Sequence, residues 1–138
     1  MDKYIKSNMC MIPWTGIETA PTGEYRPCCL YRNWVTDENG KPYTTVNNTI
    51  QEVMNSKFMN DLRKEFQDGK RPAGCMDCWK QEDAGNDSKR THMWTKASVV
   101  GQVHLTKDMV SPVFIDFKLG NICNLKCRIC WAGSSSQW

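Results

Sequence analysis

Three cysteines near the end of the chain have a spacing that can hold a metal centre. Cys123, Cys127 and Cys130 form a C-x3-C-x2-C pattern in one short segment. A closed electron-transfer cluster normally takes four cysteines, and a structural zinc site also takes four ligands. Three thiolates leave one metal position free, which predicts an iron–sulfur site that binds a further ligand. The alternatives are buried free thiols or an incidental zinc site.

A second set of cysteines lies in the N-terminal half. Cys10, Gly23 and Cys28 form the pattern C-x12-G-x4-C, and Cys75 and Cys78 form C-x2-C. Two cysteines three positions apart place both sulfurs on one side of a tight turn, within reach of one metal. The four thiols predict a second metal site, for which either a [4Fe-4S] cluster or zinc is suitable.

Several residues near these motifs are weaker candidates. Cys29 should point away from Cys28 in an extended chain, so we interpret it as a small buried apolar residue, with ligation in place of Cys28 as the alternative. His92 and His104 lie in weakly patterned segments and are interpreted as surface or hydrogen-bonded core residues. The tryptophans expected to shield the sulfurs from water are Trp14, Trp79 and Trp131.

The composition indicates the setting of these thiols. The chain has 138 residues, 24% of them charged, and a net charge of +3. It contains neither a signal-peptide pattern nor an apolar run of membrane-spanning length, so we predict a cytoplasmic chain without a membrane partner. Eight cysteines in that compartment favour metal ligation over disulfides. The small, dispersed charge argues against nucleic-acid binding.

A hairpin and short helices should position the first cysteine set. Residues 14–19 alternate as a strand, 21–23 form a turn and 24–27 return, which brings Cys10 and Cys28 together. Residues 31–48 read mostly as loop.

Helices are predicted after this loop. Thr49 and Glu52 fit a capping box, and residues 55–56 separate the first helix from the next. A short helix follows Cys78, and residues 88–96 add further helical turns. The apolar stripe of the second helix, interpreted as core packing, consists of Phe58, Met59, Leu62 and Phe66.

An apolar strand precedes the triple-cysteine segment. Residues 112–120 alternate in polarity, which predicts at least one buried face. Asp116 and Lys118 point the other way, and we assign neither a role. The side chains of the apolar face are Val113, Ile115, Phe117 and Leu119.

These motifs resemble those of a known enzyme family. Residues 121–130, Asn-Ile-Cys-Asn-Leu-Lys-Cys-Arg-Ile-Cys, resemble the cluster segment of radical S-adenosylmethionine (radical SAM) enzymes. The N-terminal part resembles the twitch domain, a short relative of the SPASM domain that holds an auxiliary cluster. The residues that carry this second resemblance are Cys10, Gly23, Cys28, Cys75 and Cys78.

The resemblance implies a function for each cysteine set. Cys123, Cys127 and Cys130 would bind a [4Fe-4S] cluster whose fourth iron is chelated by SAM, and reductive cleavage of SAM would yield a 5′-deoxyadenosyl radical. Ile129 would contact the adenine. The implied partners are SAM, an electron donor such as flavodoxin or ferredoxin, and a peptide or protein substrate. The implied ligands of the auxiliary iron–sulfur cluster are Cys10, Cys28, Cys75 and Cys78.

The implied fold is α+β and has two parts. Residues 1–97 would form the auxiliary domain, with a hairpin and two or three helices, and 98–111 a connector. Residues 112–138 would begin a partial (β/α) barrel, whose repeats take about 30 residues each. Because eight residues follow Cys130, we expect the chain to be inactive alone, as a fragment, a degenerate gene product or one half completed by a separate chain. The alternative is a non-catalytic metal-binding module holding zinc or an iron–sulfur cluster.

Overall fold

The computed structural model describes residues 7–100, 112–118, 120, 123, 125–132, 135 and 137. Helices and a small mixed sheet make up this part of the chain, which confirms the predicted α+β class. The elements in chain order are α1 (Ile12–Thr15), β1 (Gly16–Thr19), β2 (Tyr25–Arg26), α2 (Ile50–Met54), α3 (Lys57–Gln67), a 3-10 turn (Ala73–Cys75), α4 (Met76–Asp83), α5 (Lys89–Val100) and β3 (Phe114–Phe117).

Strands β1 and β2 form the predicted hairpin, although β1 is shorter than expected. The turn between them is closed by Gly23, which has φ +97° and donates its N–H to the Ala20 carbonyl at 2.9 Å. The strand prediction was wrong for Trp14 and Thr15, which belong to α1. Pro13 in the first turn of that helix presets a helical φ, which explains why the apolar alternation does not begin a strand there.

Strand β3 pairs in parallel with β1, so β1 is central and the strand order is β2-β1-β3. The predicted buried face of β3 is exposed instead: Val113 is 54% exposed, Ile115 44% and Phe117 48%. Phe114, on the opposite face, packs against the core. The reason is that β3 lies at the sheet edge, where the described residues cover only the Phe114 side. Leu119 lies outside the described residues.

Two helix starts follow from local hydrogen bonding. Glu52 donates its N–H to Thr49 Oγ1 at 3.2 Å, and Thr49 donates its N–H to Glu52 Oε2 at 2.7 Å, which confirms the capping box of α2. Ser56 Oγ accepts the Met59 N–H at 3.3 Å and begins α3. The predicted apolar stripe of α3 packs into the core: Phe58, Met59, Leu62 and Phe66.

The buried Arg63 side chain joins three helices. Its Nε donates to the Pro13 carbonyl in α1 at 2.9 Å, and its Nη2 donates to the Met54 carbonyl at the end of α2 at 2.7 Å. Burial lowers the pKa of Arg63 to about 10, which leaves the guanidinium charged at neutral pH. Arg63 therefore fixes α1, and with it the adjacent Cys10, relative to α2 and α3.

The predictions for the loop before these helices and for the segments after them can be compared with the structure. Residues 31–48 contain no helix and only isolated β-bridges, so the loop prediction is confirmed. Helix α5 continues to Val100, beyond the turns predicted over 88–96. The connector predicted at 98–111 lies mostly outside the described residues, and the domain boundaries stay a prediction. Among the described helices, none is long and apolar enough to cross a membrane.

Candidate metal centre

Four cysteines from three separate parts of the chain line one cavity. Cys10 precedes α1, Cys28 follows β2, Cys75 ends the 3-10 turn and Cys78 lies in the first turn of α4. Cys10 and Cys78 are buried, the other two are half-buried, and none forms a disulfide. The other residues that line this cavity are Ile12, Leu30, Tyr31, Phe66 and Arg90.

Local packing brings the Cys28 segment against the Cys75 turn. Tyr31 donates its N–H to the Cys28 carbonyl at 3.0 Å, and Arg32 donates its N–H to the Gly74 carbonyl at 3.1 Å. The Tyr31 ring lies directly over Gly74, where a Cβ would be 2.2 Å from the ring carbon Cζ. Glycine is therefore required beside Cys75 because the tyrosine ring occupies the space of a side chain.

The environment of Cys10, Cys28 and Cys75 keeps these three metal-free thiols protonated. Burial raises the pKa of Cys10 and Cys75 far above the usual thiol value, and the neighbouring cysteines raise it further. Burial also raises the pKa of Cys28 to about 11. Arg90 acts in the opposite direction on Cys10, as Lys89 does on Cys28. Because metals bind thiolates, loading this site would release protons.

The donor set fits a thiophilic metal group. The cavity is lined by four sulfurs, by apolar or aromatic side chains and by Arg90, with no carboxylate or imidazole among them. As they stand, no three His, Cys, Asp or Glu side chains in the described part of the chain form a group that could hold one metal ion. The sulfurs that bind a [4Fe-4S] cluster lie farther apart than the ligands of a single metal ion, because each cysteine ligates a different iron.

Cys29 does not face this cavity. Its Sγ accepts a hydrogen bond from Lys89 Nζ at 2.8 Å, and both residues line a separate cavity of about 360 Å³. The interpretation of Cys29 as a buried apolar residue was therefore wrong, since it is half-buried and in contact with an ammonium group. Cys28 and Cys29 lie in a turn that the Tyr31 N–H closes to the Cys28 carbonyl, and of the two only Cys28 lines the cavity with the other three cysteines.

The triple-cysteine segment is more open. Cys123 and Cys130 are half-buried, Cys127 is exposed, and the Cys130 N–H closes a turn to the Cys127 carbonyl at 3.0 Å. Ser135 Oγ lies 3.1 Å from the Cys123 carbonyl oxygen, which ties the start of the segment to the residues after it. Ile129, the predicted adenine contact, is 99% exposed.

The tryptophan and histidine predictions have mixed outcomes. Trp14 and Trp79 are buried in the same core cluster as Cys10, as expected for residues that exclude water. Trp131 is 70% exposed, so the shielding prediction was wrong for this residue in the described structure. His92 is exposed, with Nε2 3.9 Å from the Asp87 carboxylate. His104 lies outside the described residues.

A buried charged group in β1 was missed by sequence analysis. Glu18 in β1 is 1% exposed and accepts a hydrogen bond from Arg26 at 2.7 Å. Its carboxylate also accepts a hydrogen bond from the Lys118 ammonium, which lies 3.3 Å from Asp116. A glutamate within an apolar strand was the available signal, but its second partner is 100 residues away in sequence. Lys118 thus acquires a structural role that was not assigned.

Comparison with known proteins matches the cysteine-rich part of the chain to one family. Residues 10–79, about half of the chain, match the family model of the SPASM iron–sulfur cluster-binding domain. No match was found among curated proteins or solved structures. The matched range contains the four cysteines that line the cavity and confirms the resemblance of the N-terminal part to the SPASM domain. The chain therefore belongs to the SPASM family of iron–sulfur cluster-binding domains.

Proposed function

We propose that the chain is the auxiliary-cluster part of a radical SAM enzyme, in which Cys10, Cys28, Cys75 and Cys78 hold a [4Fe-4S] cluster. One observation carries this proposal: thiols from three separate segments line a single cavity inside the range that matches the SPASM family. Four thiolates complete the ligand set of such a cluster. The auxiliary cluster would pass electrons or hold the substrate.

The residues around this cavity have the properties that such a site needs. Phe66 and Trp79 are buried in the core beside the cysteines and keep water away from the sulfurs. Exclusion of water and hydrogen bonding to sulfur are the means by which a protein sets a cluster's reduction potential. When bound, the cluster would supply one-electron redox chemistry.

We further propose that Cys123, Cys127 and Cys130 hold a second [4Fe-4S] cluster whose open iron binds SAM for reductive cleavage. The cysteine spacing supports this, as does the connection of the segment to the hairpin. Lys118, five positions before Cys123, donates its N–H to Thr19 Oγ1 at 3.1 Å. The electron donor would be of the flavodoxin or ferredoxin type, and the substrate class a peptide or protein.

A second candidate function is a non-catalytic metal-binding module. It is favoured by the contrast between the two motifs, since the N-terminal cysteines line a core cavity whereas Cys127 is exposed. A metal in the four-cysteine site would then mainly stabilise the fold, and the triple-cysteine segment would stay empty.

Anaerobic reconstitution with iron and sulfide tests these proposals. Two [4Fe-4S] clusters predict about eight irons per chain. Cys75→Ser with Cys78→Ser should remove about half of them, and Cys123→Ala should remove the other half. Any 5′-deoxyadenosine that forms on addition of SAM and dithionite should depend on an intact Cys123.

Cys29→Ala is the matched control, because Cys29 neighbours Cys28 but lies outside the four-cysteine cavity. This variant should keep the full iron content. Zinc by elemental analysis without sulfur-to-iron charge-transfer absorbance would contradict the cluster assignment. About four irons in both the unsubstituted chain and Cys123→Ala, lost only when Cys75 and Cys78 are replaced, would show that the triple-cysteine segment stays empty and would restrict the function to the binding module.

A further inference from the structure

Two arginines contact the same tryptophan but differ in their position relative to the cysteines. The guanidinium carbon of Arg71 lies 4.9 Å from the Trp79 ring centre, and that of Arg90 lies 5.1 Å from it. The Arg71 side chain is 41% exposed, whereas that of Arg90 is 3% exposed. Of the two, Arg90 alone lines the four-cysteine cavity.

The Arg90 guanidinium is held in one orientation by bonds on several sides. Its Nε donates to Glu82 Oε1 at 2.9 Å, and its Nη2 is paired with the other oxygen of the same carboxylate. Its Nη1 donates to the carbonyl of Met9, the residue before Cys10, at 2.9 Å. Glu82 itself is not among the residues that line the cavity. Of the two members of the ion pair, Arg90 is therefore the one that lies on the cavity side.

A fixed positive charge at this position has a defined effect on a bound cluster. A cluster with four thiolate ligands becomes more negative when it is reduced, and its potential depends on nearby charge and on burial. Charges interact strongly where water is excluded and weakly where it is not. A buried guanidinium beside the cluster therefore stabilises the reduced form and raises the reduction potential.

We propose that Arg90 is the residue that raises the reduction potential of the auxiliary cluster, and that Glu82 limits this effect by partly neutralising its charge. This inference rests on the proposed function, since it requires a cluster held by the four cysteines. Arg90 lies outside the range that matches the SPASM family.

Lys89 is a second cation near the site, but its position is less suited to this role. Its ammonium donates a hydrogen bond to Cys29 Sγ. Lys89 lines the cavity of about 360 Å³ that contains Cys29, and it does not line the four-cysteine cavity. Solvent reaches it more readily and screens its charge. We therefore assign the main effect to Arg90.

The test uses the full-length chain with Cys123→Ala, so that only the auxiliary cluster is reconstituted. Its midpoint potential is measured by redox titration followed by electron paramagnetic resonance. Arg90→Met, which keeps the apolar contact with Trp79, should lower the potential, and Arg90→Lys should restore part of it. Glu82→Gln should raise the potential. Arg71→Met is the matched control and should leave it unchanged, because Arg71 contacts the same ring from an exposed position.

Cluster content and reduction potential together distinguish a failure of this inference from a failure of the proposed function. If the Cys123→Ala chain binds no cluster, the proposed auxiliary site is wrong and the inference falls with it. If the cluster binds with normal iron and sulfide content but Arg90→Met leaves the potential unchanged, the inference alone is overturned. Should Arg90→Met fail to fold, Glu82→Gln decides the matter, because an unchanged or lowered potential in that variant contradicts the proposed charge effect.

Discussion

The contact between Tyr31 and Gly74 shows how single residues shape the cysteine cavity. The aromatic ring covers the glycine, lines the cavity and lies beside both half-buried cysteines. Burial raises the pKa of Tyr31, so its hydroxyl stays protonated throughout the physiological range. The residue before Cys75 is thereby restricted to glycine for a steric reason alone.

Gly74→Ala should destabilise the metal-free chain. The new Cβ would lie 2.2 Å from the Tyr31 ring, and the ring is too rigid to yield without moving the Cys28 segment. Overpacking of this kind costs roughly 1–3 kcal/mol. Urea unfolding followed by tryptophan fluorescence measures the loss.

A double-mutant cycle with Tyr31→Leu isolates the steric contact. In that background the alanine has space, and Gly74→Ala should cost clearly less. An equal cost in both backgrounds would show that the backbone of Gly74, rather than the tyrosine ring, requires glycine.

At the scale of elements, capping decides where the short helices begin. Helix α2 has five residues, too few to be stable in isolation, yet it supplies the buried Val53 and Met54 to the core. Its start depends on the reciprocal hydrogen bonds between Thr49 and Glu52. These bonds also lower the pKa of Glu52.

Thr49→Ala should reduce stability by about 1 kcal/mol, because the Glu52 N–H loses its acceptor. Thr49 is exposed, so the substitution changes little else. Thr49→Ser is the control and should retain most of the stability. If serine is as destabilising as alanine, the threonine methyl group matters rather than the cap.

The pH dependence of the same pair has a defined sign. A carboxylate whose pKa is lowered by folding contributes stability above its usual pKa and loses it as the pH falls through the lowered value. Glu52→Gln should therefore cost less in acid than at neutral pH. A cost that does not change with pH would contradict the role of the ionised carboxylate in the cap.

At the scale of the whole molecule, the parallel pairing of β1 with β3 joins the N-terminal hairpin to the strand that precedes the triple-cysteine segment. Glu18 lies at this junction, between Arg26 on one side and Lys118 on the other. Lys118 precedes Cys123 by five residues, so this buried carboxylate holds the end of the strand that leads to the second motif.

Glu18→Gln should destabilise the β1–β3 junction by roughly 2–4 kcal/mol, because two cations lose a buried counter-charge. Hydrogen exchange should accelerate at the amides of β3 more than at those of α3. Asp116→Asn is the matched control: this carboxylate is exposed, lies 3.3 Å from the same Lys118 ammonium, and should contribute less than about 1 kcal/mol. Equal protection of β3 in wild type and Glu18→Gln would exclude the proposed junction.

Features that depend on neighbours in sequence could be predicted. The Thr49 cap, the stripe on α3 and the turn at Gly23 depend on hydrogen bonds and periodicities within a few residues. The strand over residues 14–19 was misjudged because Pro13 began a helical turn that the polarity pattern did not indicate. The exposed face of β3 could not be predicted, since alternation shows which side chains share a face but not what covers it.

The sequence by itself determined the cysteine spacings, the family resemblance and the chemical class of the site, because ligand type and spacing are properties of the chain alone. Only the tertiary structure decided which charges surround the sulfurs. Arg90 bonds the Met9 carbonyl from 81 residues away, and Lys118 reaches Glu18 from 100 residues away. Such contacts form only when helices and strands pack together, so they cannot be predicted from local sequence patterns.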